Sequence, residues 1–340
     1  MRLPSARGEV SERVIEALRR PPHDLPAWPA GVRDGHGGAA ALTDEDLQIT
    51  LFTCYELHYR GFDGVDDGWE WNPSLLALRA AAERRLRDGL RDLAGPGSAP
   101  APAPGELPRV LAALVAADGG PSLSRYLQRS ATVAQFREFV AHRSVYQLKE
   151  ADPQTWAIPR LDGRPKSALV EIQADEYGGG RPGRTHAELF GTTMDELGLD
   201  SRYGAYVDLV PASTLALSNV MSLFGLHRRW RGALIGHLAV LEMDSTVPNR
   251  RYGGGLRRLG GSRAAARYYD EHVEADAVHE QLAAHDLCGG YAEQHPEAVP
   301  DVLFGARCCL AVERLFATHL LDRWQAGRSS LRAPIGEAAA

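Results

Sequence analysis

Between residues 107 and 325, apolar side chains recur at three- and four-residue spacing, and strand-like alternation is almost absent. That spacing is the period of an α-helix, in which positions i, i+3 and i+4 share a face. Helical patterns fall near 107–117, 122–129, 132–151, 164–177, 185–196, 205–225, 230–245, 262–287 and 300–325. No repeat of fixed period links them. Stripes patterned this way are buried by packing helix on helix, so an all-α architecture is expected.

Upstream, a short helical stretch at 10–20 stops at Pro21-Pro22. A firmer helix is predicted over about 43–59, with Leu47, Leu51, Cys54 and Tyr55 on its inner face and His58 extending it. Another opens at Asn72-Pro73 and ends at Gly95, carrying Leu75, Leu78, Ala82, Leu86 and Leu90 on one side. Residues 95–106, GPGSAPAPAPGE, follow. Alternating Ala and Pro make a semi-rigid extended linker there. The expected organisation is an N-terminal helical region over 1–105, a larger helical domain over 106–330 and a tail over 331–340.

Several function classes are disfavoured. The net charge of -6 and pI near 6.1 argue against a nucleic-acid surface. No apolar run reaches the roughly 18 residues a membrane span needs. The N-terminus MRLPSARGEV has no apolar signal-peptide core. Cys54, Cys288, Cys308 and Cys309 form no C-x-x-C pair, which fits a reduced, cytoplasmic setting.

Within 262–287, His272, Asp276 and His279 form an H-x3-D-x2-H run. On a helix the three positions fall within roughly 60° of one face. Two imidazoles and a carboxylate suit a mid-row transition metal, iron above all when coordination positions stay open. Glu150, Glu176, His186 and Glu242 lie upstream in apolar, helix-forming context. Three Glu, one Asp and three His from four segments are the kind of set by which helical bundles hold two iron or manganese ions. Each residue alone has a plainer reading as a solvated carboxylate or a satisfied core histidine. His58, His227, His237, His285 and His319 offer other clusters.

At these residues the chain resembles the haem-oxygenase-like diiron oxidases and oxygenases, the iron-containing redox enzymes. The resemblance runs over about 106–325 and is carried by KSALVEIQADEYGGGRPGRTHAELF, the Glu of LEMDSTVP and HVEADAVH. In layout it comes nearest the N-nitrosourea-forming, N-oxygenating branch. It implies a haem-oxygenase-like helical bundle with Glu150, Glu176, His186, Glu242, His272, Asp276 and His279 as ligands to two irons. It implies O2 as co-substrate, an external electron donor, a small-molecule amine or guanidine substrate, and a homodimer built through the N-terminal region. Glu176, the additional carboxylate, points to N-oxygenation and is the expected catalytic residue, with Asp175 and Glu171 as alternatives for its role. Relatives of that branch carry a C-terminal cupin domain, and its reaction is not expected from a sequence ending at Ala340. Other chemistries of the family are C–C cleavage and desaturation. A metal-free helical binding or scaffold protein is the reading from a different class.

The glycine-rich RYGGGLRRLGG lacks G-K-[ST] and follows no strand, so it reads as a loop leading into the ligand helix rather than a phosphate cradle. Arg250, Arg251, Arg257 and Arg258 around it are either a clamp for a substrate carboxylate or a solvated basic loop. Tyr177 lines the pocket or packs, and Trp69, Trp71 and Trp156 read as core or interface anchors.

Overall fold

The computed structural model describes residues 1–26, 38–97 and 101–336, apart from the side chains of 275–277. Every regular element among them is helical. In chain order the α-helices are α1 (Glu9–Leu18), α2 (Glu45–Glu56), α3 (Pro73–Ala94), α4 (Leu107–Ala116), α5 (Leu123–Arg129), α6 (Val133–Gln147), α7 (Asp152–Thr155), α8 (Gly163–Glu176), α9 (His186–Glu196), α10 (Ala212–Leu226), α11 (Arg231–Met243), α12 (Thr246–Arg258), α13 (Arg263–Gln281), α14 (Gly290–Gln294) and α15 (Val299–Gln325). A π-helical segment, Leu282–Gly289, joins α13 to α14.

The helix starts follow local chemistry. Asp44, Asn72, Thr132 and Ser262 accept hydrogen bonds from backbone N–H groups of the first turns of α2, α3, α6 and α13. Pro73 and Pro300 stand where a missing N–H costs nothing. α10 is buried from Ala212 to Gly225, and α11 is buried over most of its length. Helices apolar on all sides belong at the centre. α11 crosses α15 at very close range: a Cβ on Gly236 would lie 2.0 Å from the Val302 carbonyl oxygen, and one on Gly305 would lie 1.9 Å from that of Ala233. Only glycine permits that approach, which fixes the axial position of α11.

The structure revises one reading. The stretch containing RYGGG is helical, as most of α12. Its glycines serve packing: a Cβ on Gly255 would lie 2.6 Å from the Leu127 carbonyl oxygen of α5. Three of the four arginines are engaged as well. Arg251 reaches Ser122 and Ser124, Arg257 pairs with Asp270, and Arg258 donates to the carbonyls of Leu127, Gln128 and Ala131. α6 is also shorter than its pattern, ending at Gln147, so Glu150 lies in the turn that follows.

Residues on both sides of the Ala/Pro stretch enter one apolar core, with Leu47, Leu51, Leu86 and Leu90 joining Leu215, Val220 and Phe316. Residues 27–37 and 98–100 lie outside the described residues. Because α2 and α3 are covered by the rest of the chain, the homodimer expectation rests on the resemblance alone. Trp69 is buried, while Trp71 is exposed and stands edge-on to His58.

Charge ties the layers together. Lys149 is buried and pairs with buried Glu56 of α2 at 3.1 Å. The Tyr203 hydroxyl donates to the same carboxylate at 2.8 Å. Removing one partner of such a pair strands a buried charge, at a cost of roughly 3–5 kcal/mol. Lys149→Met should therefore destabilise the fold by about 3 kcal/mol in urea unfolding. The double variant Lys149→Met/Glu56→Leu should recover part of that loss.

His142, buried between Thr214 at 2.7 Å and Ser330 at 3.0 Å, has its pKa pushed well below the ordinary imidazole value by burial, then by His319 and Arg143. The unfolded chain takes up this proton near pH 6.5 and the folded chain does not, so stability falls as pH falls through that value. The slope is up to about 1.4 kcal/mol per pH unit. Relative to His142→Gln, the wild type should lose stability between about pH 7.5 and about pH 5.5. A difference that does not change with pH would overturn this.

Candidate metal centre

Four segments converge on the centre of the bundle. Glu150 comes from the turn after α6, where Ala151 takes a left-handed φ of 72° and redirects the chain into α7. Glu176 is the last residue of α8. The chain then turns through Gly178, Gly179 and Gly180, all at positive φ, where glycine is the residue without strain. It re-enters helix at His186, the first residue of α9. Thr185 and Glu188 form a capping box there, which fixes where that helix begins. Glu242 lies near the end of α11, and α13 carries His272 and His279.

Two groups of donors result. Glu150, Glu176, His186 and His272 bring one ligand atom each to within 4.8 Å of one another, and so do Glu176, Glu242 and His279. Glu176 belongs to both. Its Oε2 lies 2.7 Å from His186 Nδ1, and its Oε1 lies 4.0 Å from His279 Nδ1. Glu242 Oε2 is 3.3 Å from His279 Nδ1, and Glu150 Oε1 is 3.6 Å from His272 Nε2.

The imidazoles are oriented from behind. His272 Nδ1–H donates to the Tyr268 carbonyl at 2.9 Å, leaving Nε2 as the electron-pair donor facing Glu150. His279 Nε2–H donates to Asp175 at 3.1 Å, so Nδ1 faces the carboxylates. This is the outer carboxylate–histidine arrangement by which proteins fix the tautomer of a metal-binding ring. The Tyr268 hydroxyl donates to both oxygens of Glu150 at 2.9 Å. Of the candidates in the α8 segment, Glu171 and Asp175 are exposed and Glu176 is buried. Asp175 therefore supports a ring from outside.

Electrostatics fit a cation. Glu176 Oε2 and His186 Nδ1 are buried and face each other at 2.7 Å. Two electron-pair donors held this way match the donor set of a shared metal ion. Burial works against charge on His279 and His186, yet the carboxylates outweigh it. His279 rises to about 9 through Glu242, Asp175 and Glu176, and His186 is raised by Glu176. Burial likewise pushes Glu176 up, but His186, His272 and His279 carry it below the ordinary carboxylate value. The cluster demands positive charge, which protons or a metal supply.

Six of the seven expected residues thus come together. The Asp276 side chain lies outside the described residues. His58, His227, His237, His285 and His319 belong to neither donor group. Tyr177 packs, its hydroxyl donating to Asp152. The sequence reading missed the supporting roles of Tyr268 and Asp175. Tyr268 does carry a signal, since it stands four residues before His272, one helical turn away on the same face.

Residues 137–314, just over half of the chain, match the profile of the iron-containing redox enzymes. The chain belongs to this family. A stretch of 159 residues, 46% of this chain, is 26% identical to a nitrosourea synthase of Streptomyces achromogenes subsp. streptozoticus. That stretch spans 34% of the length of that relative. The family, the helical bundle and the carboxylate–histidine cluster mark an iron-dependent oxidoreductase.

The sharing of Glu176 yields a prediction in an anaerobic ferrous titration. Glu242→Ala should bind about one iron fewer than wild type, whereas Glu176→Ala should weaken both positions. Asp175→Asn should lower affinity by about 10- to 100-fold. Full stoichiometry and affinity in Glu176→Ala would show that the shared carboxylate is misassigned.

Proposed function

We propose that this protein is a diiron, O2-dependent N-oxygenase that hydroxylates a nitrogen of a small amine or guanidine. The observation that carries the reading is Glu176, one buried carboxylate common to two donor groups on the wall of a cavity. Glu150, His186 and His272 would hold one iron. Glu242 and His279, with Asp276, would hold the other, and Glu176 would serve both. When bound, the iron pair supplies the electrons for dioxygen activation.

The chain's own residues do the rest. Asp175 and the Tyr268 carbonyl keep the unprotonated nitrogens of His279 and His272 turned inward. The Tyr268 hydroxyl holds Glu150 in one orientation. The cavity, of about 190 Å³, is lined by Glu150, Glu176, Glu242 and His272 at one end, with Phe190, Leu238 and Leu241 among its apolar walls. Those walls exclude water and leave room for a small molecule. The named product class of the nitrosourea synthase bears a nitrogen–oxygen bond, which supports nitrogen as the atom oxidised. An external reductant would return the irons to the ferrous state.

The test is turnover of the iron-loaded protein with a chemical reductant, labelled O2 and a panel of amines and guanidines. The expected product has gained one labelled oxygen on nitrogen. Glu176→Ala should lower the rate by at least about a hundredfold, the scale of losing one positioned charged group. An alkene or a shortened carbon chain as product would replace this reading with desaturation or C–C cleavage.

A further inference from the structure

The same cavity is also lined by residues outside the carboxylate–histidine cluster. His237 lines it from α11, five residues before Glu242, about 7.5 Å back along the helix axis. His237 is 2% exposed, and neither ring nitrogen makes a hydrogen bond within the described residues. A buried imidazole with both nitrogens unsatisfied is costly, and native proteins rarely keep one without use. Burial pushes the ring down to about 4, against the charge of nearby Glu313. At neutral pH it therefore offers one donor and one acceptor.

The surrounding charge is lopsided. Outside the two donor groups, the described lining carries the carboxylates Asp118, Asp244 and Glu313 and the single cation Arg143. Arg143 is committed to Glu313 by two hydrogen bonds, at 2.8 and 2.7 Å. Asp118 is paired with Arg314. Asp244 is exposed and lines the cavity at its mouth. Glu313 and Asp118 are thus paired with arginines, and Asp244 is the lining carboxylate left to meet a cation.

We infer that His237, with Asp244, forms a second pole of the cavity that holds a cationic N–H-bearing head group of the substrate, an alkylammonium or alkylguanidinium. The acceptor nitrogen of His237 takes an N–H of that group, and Asp244 balances its charge. The head group is anchored at this pole while a second nitrogen of the molecule reaches the donor cluster. His237 thereby acts as a specificity-determining residue. The inference rests on the substrate class proposed above and requires no oxidation step.

The test is anaerobic calorimetry on the full-length, iron(II)-loaded protein, with n-butylguanidinium, n-butylammonium and butyrate as probes. The cations should bind and butyrate should not, and the two cation arms tell which head group fits. His237→Leu should weaken cation binding by about tenfold or more, the scale of one hydrogen bond to a charged group. Its melting temperature should be unchanged or higher, because the free protein loses no hydrogen bond made by that ring. Asp244→Asn, at the mouth, should weaken the cations in the same direction. In protein carrying nitrogen-15 in its histidine rings, the signal missing from His237→Gln should shift when the cation is added. Cation affinity unchanged in His237→Leu and Asp244→Asn, or equal affinity for butyrate, would overturn the inference. Cation binding by a protein that N-oxygenates none of the amines and guanidines in the turnover panel would sink the N-oxygenase reading and leave this one standing.

Discussion

The carboxylate of Glu176 is the constraint from which the centre of the molecule follows. It is buried at a helix end, among two further glutamates and three histidines. Buried carboxylates repel one another and lose hydration, so such a group persists only if positive charge is supplied at the same place. The raised pKa values of His186 and His279 show the cluster drawing in protons as that charge. A pair of metal ions answers the same demand with more charge and fixed geometry. The donor set is thus unfavourable for the bare fold and favourable for the loaded one, and metal binding and stability should be coupled.

Holding that charge in place requires the backbone to be fixed where side chains cannot compensate. All the candidate ligands brought together here except His272, midway along α13, sit at or beside an element boundary: Glu150 after α6, Glu176 at the end of α8, His186 at the start of α9, Glu242 near the end of α11, and His279 in the last turn of α13. Boundaries are the places where a chain frays unless something pins it. Here the pins are identifiable. Thr185 caps α9, Lys149 anchors the turn bearing Glu150 to Glu56, and the Gly236–Gly305 crossing seats α11 against α15. The π-helical turns from Leu282 begin three residues after His279, and such irregularities recur at functional sites.

Much of this was legible in the sequence because helical periodicity and helix caps are local signals. The stripes at 164–177, 185–196 and 262–287 place Glu176, His186, His272 and His279 on helices that the structure contains. The misreading of α12 has a physical cause. Glycine usually argues for a loop, but Gly253, Gly254 and Gly255 sit in a helix, and a side chain on Gly255 would strike the α5 backbone. Close helix–helix approach is a tertiary fact with no signature in one segment. The same limit applies to His237 and Glu313. They stand 76 positions apart, and only the crossing of α11 and α15 brings them to one cavity.

The two poles of the cavity ask opposite things of one helix. α11 supplies Glu242 to a cluster that must stay rigid enough to hold its donors within a few tenths of an ångström of a productive geometry. It also supplies His237 to a pole that must remain unsatisfied until something arrives. An unmade hydrogen bond in the free protein is a standing penalty, and it is tolerable only because neighbouring packing is strong enough to absorb it. Gly236, between Ile235 and His237, is the residue that lets α11 lie directly on the backbone of α15. That contact keeps His237 from moving to find a partner elsewhere. Rigid apolar packing and unsatisfied polarity are therefore two consequences of the same helix crossing.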